Sequence, residues 1–162
     1  MSPDDILVRV ADLRIATGDE TLVTIGLGSC VAIVLYDCVS RVGGLAHIML
    51  PSPALSRRDD NPARVPQTAV PKLLELMAAA GASRRRVTAR LAGGASMFAA
   101  LAAPGTIQMG ERNVVATRQA LSAGGVPLVA QAVGGGYGRT VRLRVCDGRM
   151  EVHSVTHGVE VL

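Results

Sequence analysis

Residues 31–36, Val-Ala-Ile-Val-Leu-Tyr, form an unbroken apolar run, and residues 42–50 read as the strand that returns beside it. The first run is short, rich in β-branched residues and bounded by turn residues, so it reads as a buried strand. Residues 37–41 turn the chain, and Pro51 stops the returning strand because proline has no N–H for a ladder. The pair therefore forms an antiparallel hairpin, and the rest of the chain must be arranged around it.

Other segments follow the same signals. Residues 6–15 alternate Ile6, Val8 and Val10 and read as one strand, and residues 21–25 form another. Residues 86–92, 126–133, 140–145, 150–155 and 159–162 read as further strands, with Asp147-Gly148 as a hairpin turn. Helices are expected over 68–80, capped by Thr68 and closed by Gly81, and over 111–123, closed by Gly124-Gly125. Pro71 is tolerated in the first helix if it falls in the first turn. Residues 52–66 are polar, rich in Pro, Arg and Asp, and read as a surface loop beside the end of the hairpin. About eight strands and two or three helices in mixed order predict an α/β (α+β) domain with mostly antiparallel pairing. At 162 residues, with no linker or repeat, a single domain over 1–162 is expected.

Composition narrows the class. Half the chain is hydrophobic, which argues against disorder. The acidic start lacks a signal-peptide pattern, and no apolar run approaches bilayer length, so a cytoplasmic protein without membrane insertion is expected. Three cysteines without a CxxC spacing do not make a disulfide framework. The net charge of +4 is spread out apart from Arg84-Arg85-Arg86, and aromatics are 2%, a poor footprint for nucleic-acid binding. The glycine runs at 93–94 and 134–136 lack the lysine or spacing of a phosphate cradle.

One constellation carries chemistry. In Gly26-Leu27-Gly28-Ser29-Cys30, glycines let the backbone turn sharply before a thiol, and the N–H groups near Gly28 and Ser29 are candidate oxyanion donors. Folding the hairpin about Val39 puts Cys30 opposite His47 or Ile48. A bulge at Gly43-Gly44 would set His47 directly across, with Cβ atoms about 4.5–5.5 Å apart. An imidazole there lowers the thiol pKa and shuttles its proton. By spacing alone the bland alternative also stands: a cysteine in an apolar strand packs as a small hydrophobe, and a lone histidine is a satisfied core residue. Cys30, Cys38 and His47 match no zinc spacing, so no metal is expected. Cys38 and Cys146 sit in turns, and His153 and His157 read as surface residues. Arg112 and Asn113 read as ties for the entry of the second helix.

The runs Thr24-Ile-Gly-Leu-Gly-Ser-Cys30-Val, Leu35-Tyr36-Asp37 and Gly43-Gly44-Leu45-Ala46-His47-Ile48-Met49-Leu50-Pro51 resemble the signature of the CheD family, the chemoreceptor glutamine deamidases. Downstream, Gly93-Gly94-Ala95-Ser96-Met97-Phe98, Gly110-Glu111-Arg112-Asn113-Val114 and Gly134-Gly135-Gly136-Tyr137-Gly138-Arg139 are similar to its later blocks. The resemblance covers residues 5–155. It implies Cys30 as nucleophile, His47 as general base and Thr24 as third catalytic residue. It implies hydrolysis of glutamine side chains on the cytoplasmic helices of chemoreceptors, with no cofactor. It also implies a β-sandwich-like core shared with deamidating cytotoxic toxins, and in some members binding to the chemotaxis phosphatase CheC. A protein that is a monomer when free is expected. A non-catalytic module docking on receptors or on the phosphatase is the alternative. Ala132 stands where the family commonly has Asp, which bears on substrate contacts rather than on the Cys-His-Thr set.

Overall fold

The computed structural model describes residues 1–56 and 60–162. Its strands are β1 (Asp5–Leu7), β2 (Leu13–Thr17), β3 (Thr21–Leu27), β4 (Val31–Asp37), β5 (Val42–Ile48), β6 (Thr88–Gly93), β7 (Leu128–Val133), β8 (Arg139–Arg144), β9 (Arg149–Ser154) and β10 (Gly158–Val161). Its α-helices are α1 (Pro66–Ala79) and α2 (Met109–Ala123).

Every residue of β4 and β5 is buried, and the packing explains why. Val31, Ile33 and Leu35 of β4 meet α1 and α2 in one core, built with Leu73, Met77 and Leu121. Ala32, Val34 and Tyr36, on the opposite face, meet Leu22, Val141 and Leu143 in a second core. An alternation of polar and apolar residues is impossible in a strand with apolar layers on both sides, so the run is continuous. The strands form two five-stranded sheets, ordered β1-β3-β8-β9-β10 and β2-β5-β4-β6-β7. The helices cover the second sheet, giving three layers. The fold is α+β, as expected, with antiparallel pairing throughout except β1 with β3 and β6 with β7, which are parallel.

Several expectations need correction. The hairpin pairs Val31 with Ile48 and Ala32 with His47, without interruption, so Cys30 is not directly across from His47. The turn occupies Cys38 to Arg41 rather than centring on Val39, and Arg41 adopts a left-handed conformation at φ 53°. Gly43 and Gly44 form no bulge. Instead they leave room for neighbours on both faces: a Cβ at Gly43 would lie 2.8 Å from Leu143, and one at Gly44 3.1 Å from Leu73. The alternation at 6–15 is split between β1 and β2, which belong to different sheets. The switch is made near Ala11, at φ 56°.

Helix α1 begins at Pro66 rather than at Thr68, and Val65 precedes it without a side-chain cap. Pro71 therefore lies beyond the first turn, on the exposed face, where water can serve the carbonyl it leaves without a helical donor. The loop expected over 52–66 holds a short 3-10 turn at Pro53–Leu55, and its residues 57–59 lie outside the described residues. Its second part is tied down: Met49 and Leu50 donate to the Arg64 carbonyl, and Asn61 Nδ2 donates to the Ala11 carbonyl at 2.8 Å. Ala132 packs in the core between the sheets. Among the described residues no helix is long and apolar enough to cross a membrane.

Candidate active site

His47 lies on the face of β5 that looks toward the other sheet, since its partner Ala32 packs in the core between the sheets. Thr24 reaches it from β3 of that sheet. The two meet across the gap, with Thr24 Oγ1 2.7 Å from His47 Nδ1. Both are fully buried. The strand β3 breaks register with β8 between Thr24 and Leu27, where Gly26 has φ +77°. This bulge lets β3 bend away immediately after Thr24 and lead into the loop that carries Cys30.

The hydrogen bonds fix the tautomer of His47. Thr24 has one hydroxyl proton and donates it to the Val8 carbonyl at 2.6 Å. Toward His47 it can only accept, so Nδ1 carries the ring proton and Nε2 presents its bare lone pair. Nε2 is buried and has no hydrogen-bond partner among the described residues. Burial pushes the His47 pKa down to about 4, so the ring is a neutral base at ordinary pH.

Cys30 precedes β4 and is half-buried against the same core that His47 faces. Side chains alternate along a strand, so Cys30 shares the Ala32 face and is a diagonal neighbour of His47, not its cross-strand partner. No hydrogen bond joins the thiol to Nε2. Burial pushes the thiol pKa up, partly offset by its own backbone N–H. The expected lowering by the imidazole is thus not present: at rest the site holds a neutral thiol and a neutral imidazole. A neutral pair activates only as the thiol proton passes to the imidazole while sulfur forms its bond to the substrate carbon.

The loop before Cys30 is held from outside. Gly28 O accepts from Ala95 N at 2.9 Å, Ser29 O from Asn113 Nδ2 at 2.9 Å, and Cys30 O from Gly94 N at 2.8 Å. In a trans peptide the N–H points opposite to the carbonyl, so the N–H groups of Ser29 and Cys30 are turned the other way. Neither donates to an acceptor among the described residues. The late glycine loop closes the wall: Gly134 N donates to Gly93 O at 3.0 Å, and Ser96 N to Gly135 O at 2.8 Å. Arg139 Nη1 donates to Gly134 O at 2.8 Å and its guanidinium lies 4.2 Å from the Tyr137 ring. The three glycine segments that stood apart in the sequence are therefore one bonded unit.

Two hollows open beside it. One of about 250 Å³ is lined by Ser29, Ala95, Met97, Phe98 and Gln108. The other, of about 640 Å³, runs between Gly26, Met97, Tyr137 and His153. Met97 borders both, and Ile25, Phe98, Leu101 and Ile107 are exposed apolar side chains of the surrounding segments. Cys38 and Cys146 take no part: Cys38 follows the opposite end of β4, and Cys146 lies in the turn between β8 and β9. His153 pairs with Glu151, and His157 stacks on Tyr137 with ring centres 3.8 Å apart. Asn113 was legible only as a helix tie, yet its amide reaches both Ser29 O and Met49 O.

The burial of His47 has a measurable consequence. Its folded pKa of about 4 lies below the unfolded value of 6.5, so the unfolded chain binds the proton more readily. The stabilising effect of a neutral His47 is complete above pH 6.5 and is lost as pH falls toward 4, by on the order of 3 kcal/mol. Urea unfolding of the wild type should show this loss across that window. His47→Gln should flatten the curve there, and identical curves would contradict the assignment.

The site thus sets an imidazole hydrogen-bonded to a hydroxyl near a thiol that follows a glycine loop, within a two-sheet α+β fold. The family model described as CheD chemotactic sensory transduction matches residues 49–154. A probable chemoreceptor glutamine deamidase CheD of Clostridium novyi is 38% identical over 162 residues, all of both chains. Another, from Caldanaerobacter subterraneus subsp. tengcongensis, is 42% identical over 96% of each chain. The chemoreceptor glutamine deamidase CheD of Halalkalibacterium halodurans is 40% identical, again over 96% of each. The chain belongs to the CheD family. The family-model match begins two residues after His47, whereas the match to the Clostridium relative spans the whole chain.

Proposed function

We propose that this protein deamidates glutamine side chains on the cytoplasmic helices of chemoreceptors, with Cys30 as nucleophile, His47 as base and Thr24 as the residue that orients the base. The observation that carries this reading is the bare Nε2 of His47, buried without a hydrogen-bond partner among the described residues, on the face it shares with Cys30. The names of the relatives supply the substrate class.

As sulfur attacks the carboxamide carbon, the S–H proton passes to Nε2 and the C=O electrons move onto oxygen. The N–H groups of Ser29 and Cys30 stabilise that oxyanion. The intermediate collapses, the C–N bond breaks, and the Nε2 proton leaves with ammonia. Water then attacks the thioester carbon and gives its proton to Nε2. The C–S bond breaks, glutamate departs, and the proton returns to sulfur. Throughout, Nδ1–H stays on Thr24, which favours the imidazolium that forms twice in the cycle. The exposed apolar residues around the two hollows suit a partner helix that must present a glutamine side chain without unfolding. A cytoplasmic site of action follows from this reading.

The test is ammonia release from a chemoreceptor cytoplasmic fragment. The wild type should release ammonia, and a fragment whose modified glutamines are already glutamate should yield none. Because His47 must be unprotonated to accept the thiol proton, the acid limb of kcat/KM should lie near pH 4 to 5 rather than at 6.5. Ammonia released equally from both fragments would count against the reading.

A further inference from the structure

The Ser29 carbonyl and the Cys30 N–H are the two ends of one rigid peptide plane. Whatever holds the oxygen aims the hydrogen. The oxygen is held by Asn113, a fully buried residue of the first turns of α2, whose Nδ2 lies 2.9 Å from it. The same Nδ2 lies 3.2 Å from the carbonyl of Met49, two residues past His47. The β4–β5 ladder ends at Val31 and Ile48, so no further ladder pair ties the nucleophile loop to the strand that carries the base. A single side-chain amide supplies the tie.

The helix is itself positioned tightly enough for this. Gly110 has no side chain, and a Cβ there would lie 2.6 Å from the Gly94 carbonyl. The helix backbone therefore rests against the Gly94–Ala95 segment, whose N–H groups hold Cys30 O and Gly28 O. The Cys30 N–H, at the other end of the plane that Asn113 holds, favours the thiolate and partly offsets the burial of the thiol.

We propose that Asn113 is a positioning residue for the reaction: by holding Ser29 O against Met49 O, it presents the Cys30 N–H to the oxyanion. This inference rests on the deamidase reading. It assigns Asn113 an effect on the transition state and none on the reactivity of the thiol toward a saturated carbon.

The experiment compares two reactions of Cys30 in Asn113→Ala. Deamidation of a receptor fragment builds an oxyanion, whereas alkylation by iodoacetamide does not. kcat should fall by about 10²-fold, in the range for a lost oxyanion donor, with KM nearly unchanged. The alkylation rate of Cys30 should stay within about threefold of wild type, since thiol pKa and access govern it. Should Asn113→Ala fail to fold, Asn113→Ser, which retains one donor at shorter reach, carries the same comparison with a smaller fall in kcat. An unchanged kcat, or a fall in kcat and alkylation together, would overturn the positioning role while leaving the deamidase reading intact. A wild type that releases no ammonia from the fragment would overturn both.

Discussion

His47→Ala is expected to lower deamidation by about 10³- to 10⁴-fold, because one imidazole is asked to accept the thiol proton and to deliver it to ammonia. Thr24→Val should cost less, about 10²-fold. It removes only the hydroxyl that fixes Nδ1–H, at 2.7 Å, while leaving the ring in its pocket. The order matters more than either value. If Thr24 orients and His47 transfers, the double variant should be no worse than His47→Ala alone, since an orienting group has nothing to orient once the ring is gone. Steady-state rates on a receptor fragment measure all three. Additive losses would mean that Thr24 acts on its own account.

Gly93→Ala should be nearly as damaging, for a reason of space rather than chemistry. Gly93 has φ +110°, which L residues rarely adopt, and its missing Cβ would fall against the Cys30 carbonyl oxygen and 3.3 Å from Val31 Cα. That oxygen is already held by Gly94 N, so the clash cannot be relieved without moving the start of β4. We expect activity to fall below detection and stability to drop by about 2–4 kcal/mol, from strain plus a broken loop. Gly158→Ala is the control. It too has a positive φ, of 72°, but nothing lies within 4 Å of its added Cβ. Its cost should stay near 1 kcal/mol, with activity unchanged. Urea unfolding and ammonia release on the two variants separate backbone strain from displacement of the nucleophile.

The hairpin was legible because a strand with apolar layers on both faces leaves a continuous hydrophobic run, and few other arrangements do. Its register was less so. The position of the turn decides pairing, and a left-handed Arg41 is not written in residue type. Alternation likewise tells which way a side chain points but not which sheet it belongs to, so residues 6–15 looked like one strand although the chain changes sheets within them. The hairpin alone put Cys30 near His47 but left the bland reading open, and it gave no sign of their diagonal placement. Thr24 came only from the family resemblance: its contact with His47 crosses between two sheets and spans 23 positions, beyond any local pattern. Asn113 was legible only as a tie for the entry of the second helix, in a block similar to one of the family's. That it donates to two separate carbonyls depends on how α2 packs, and that is set by Gly110 meeting Gly94.

The most direct test of a Cys30 thioester route compares the three cysteines. Receptor fragment would be incubated with wild type, Cys30→Ala, Cys38→Ala and Cys146→Ala, and each glutamine scored by peptide mass for conversion to glutamate. Conversion at the same glutamines by wild type and both turn-cysteine variants, with none by Cys30→Ala, is the predicted result. Conversion that survives Cys30→Ala would contradict the account.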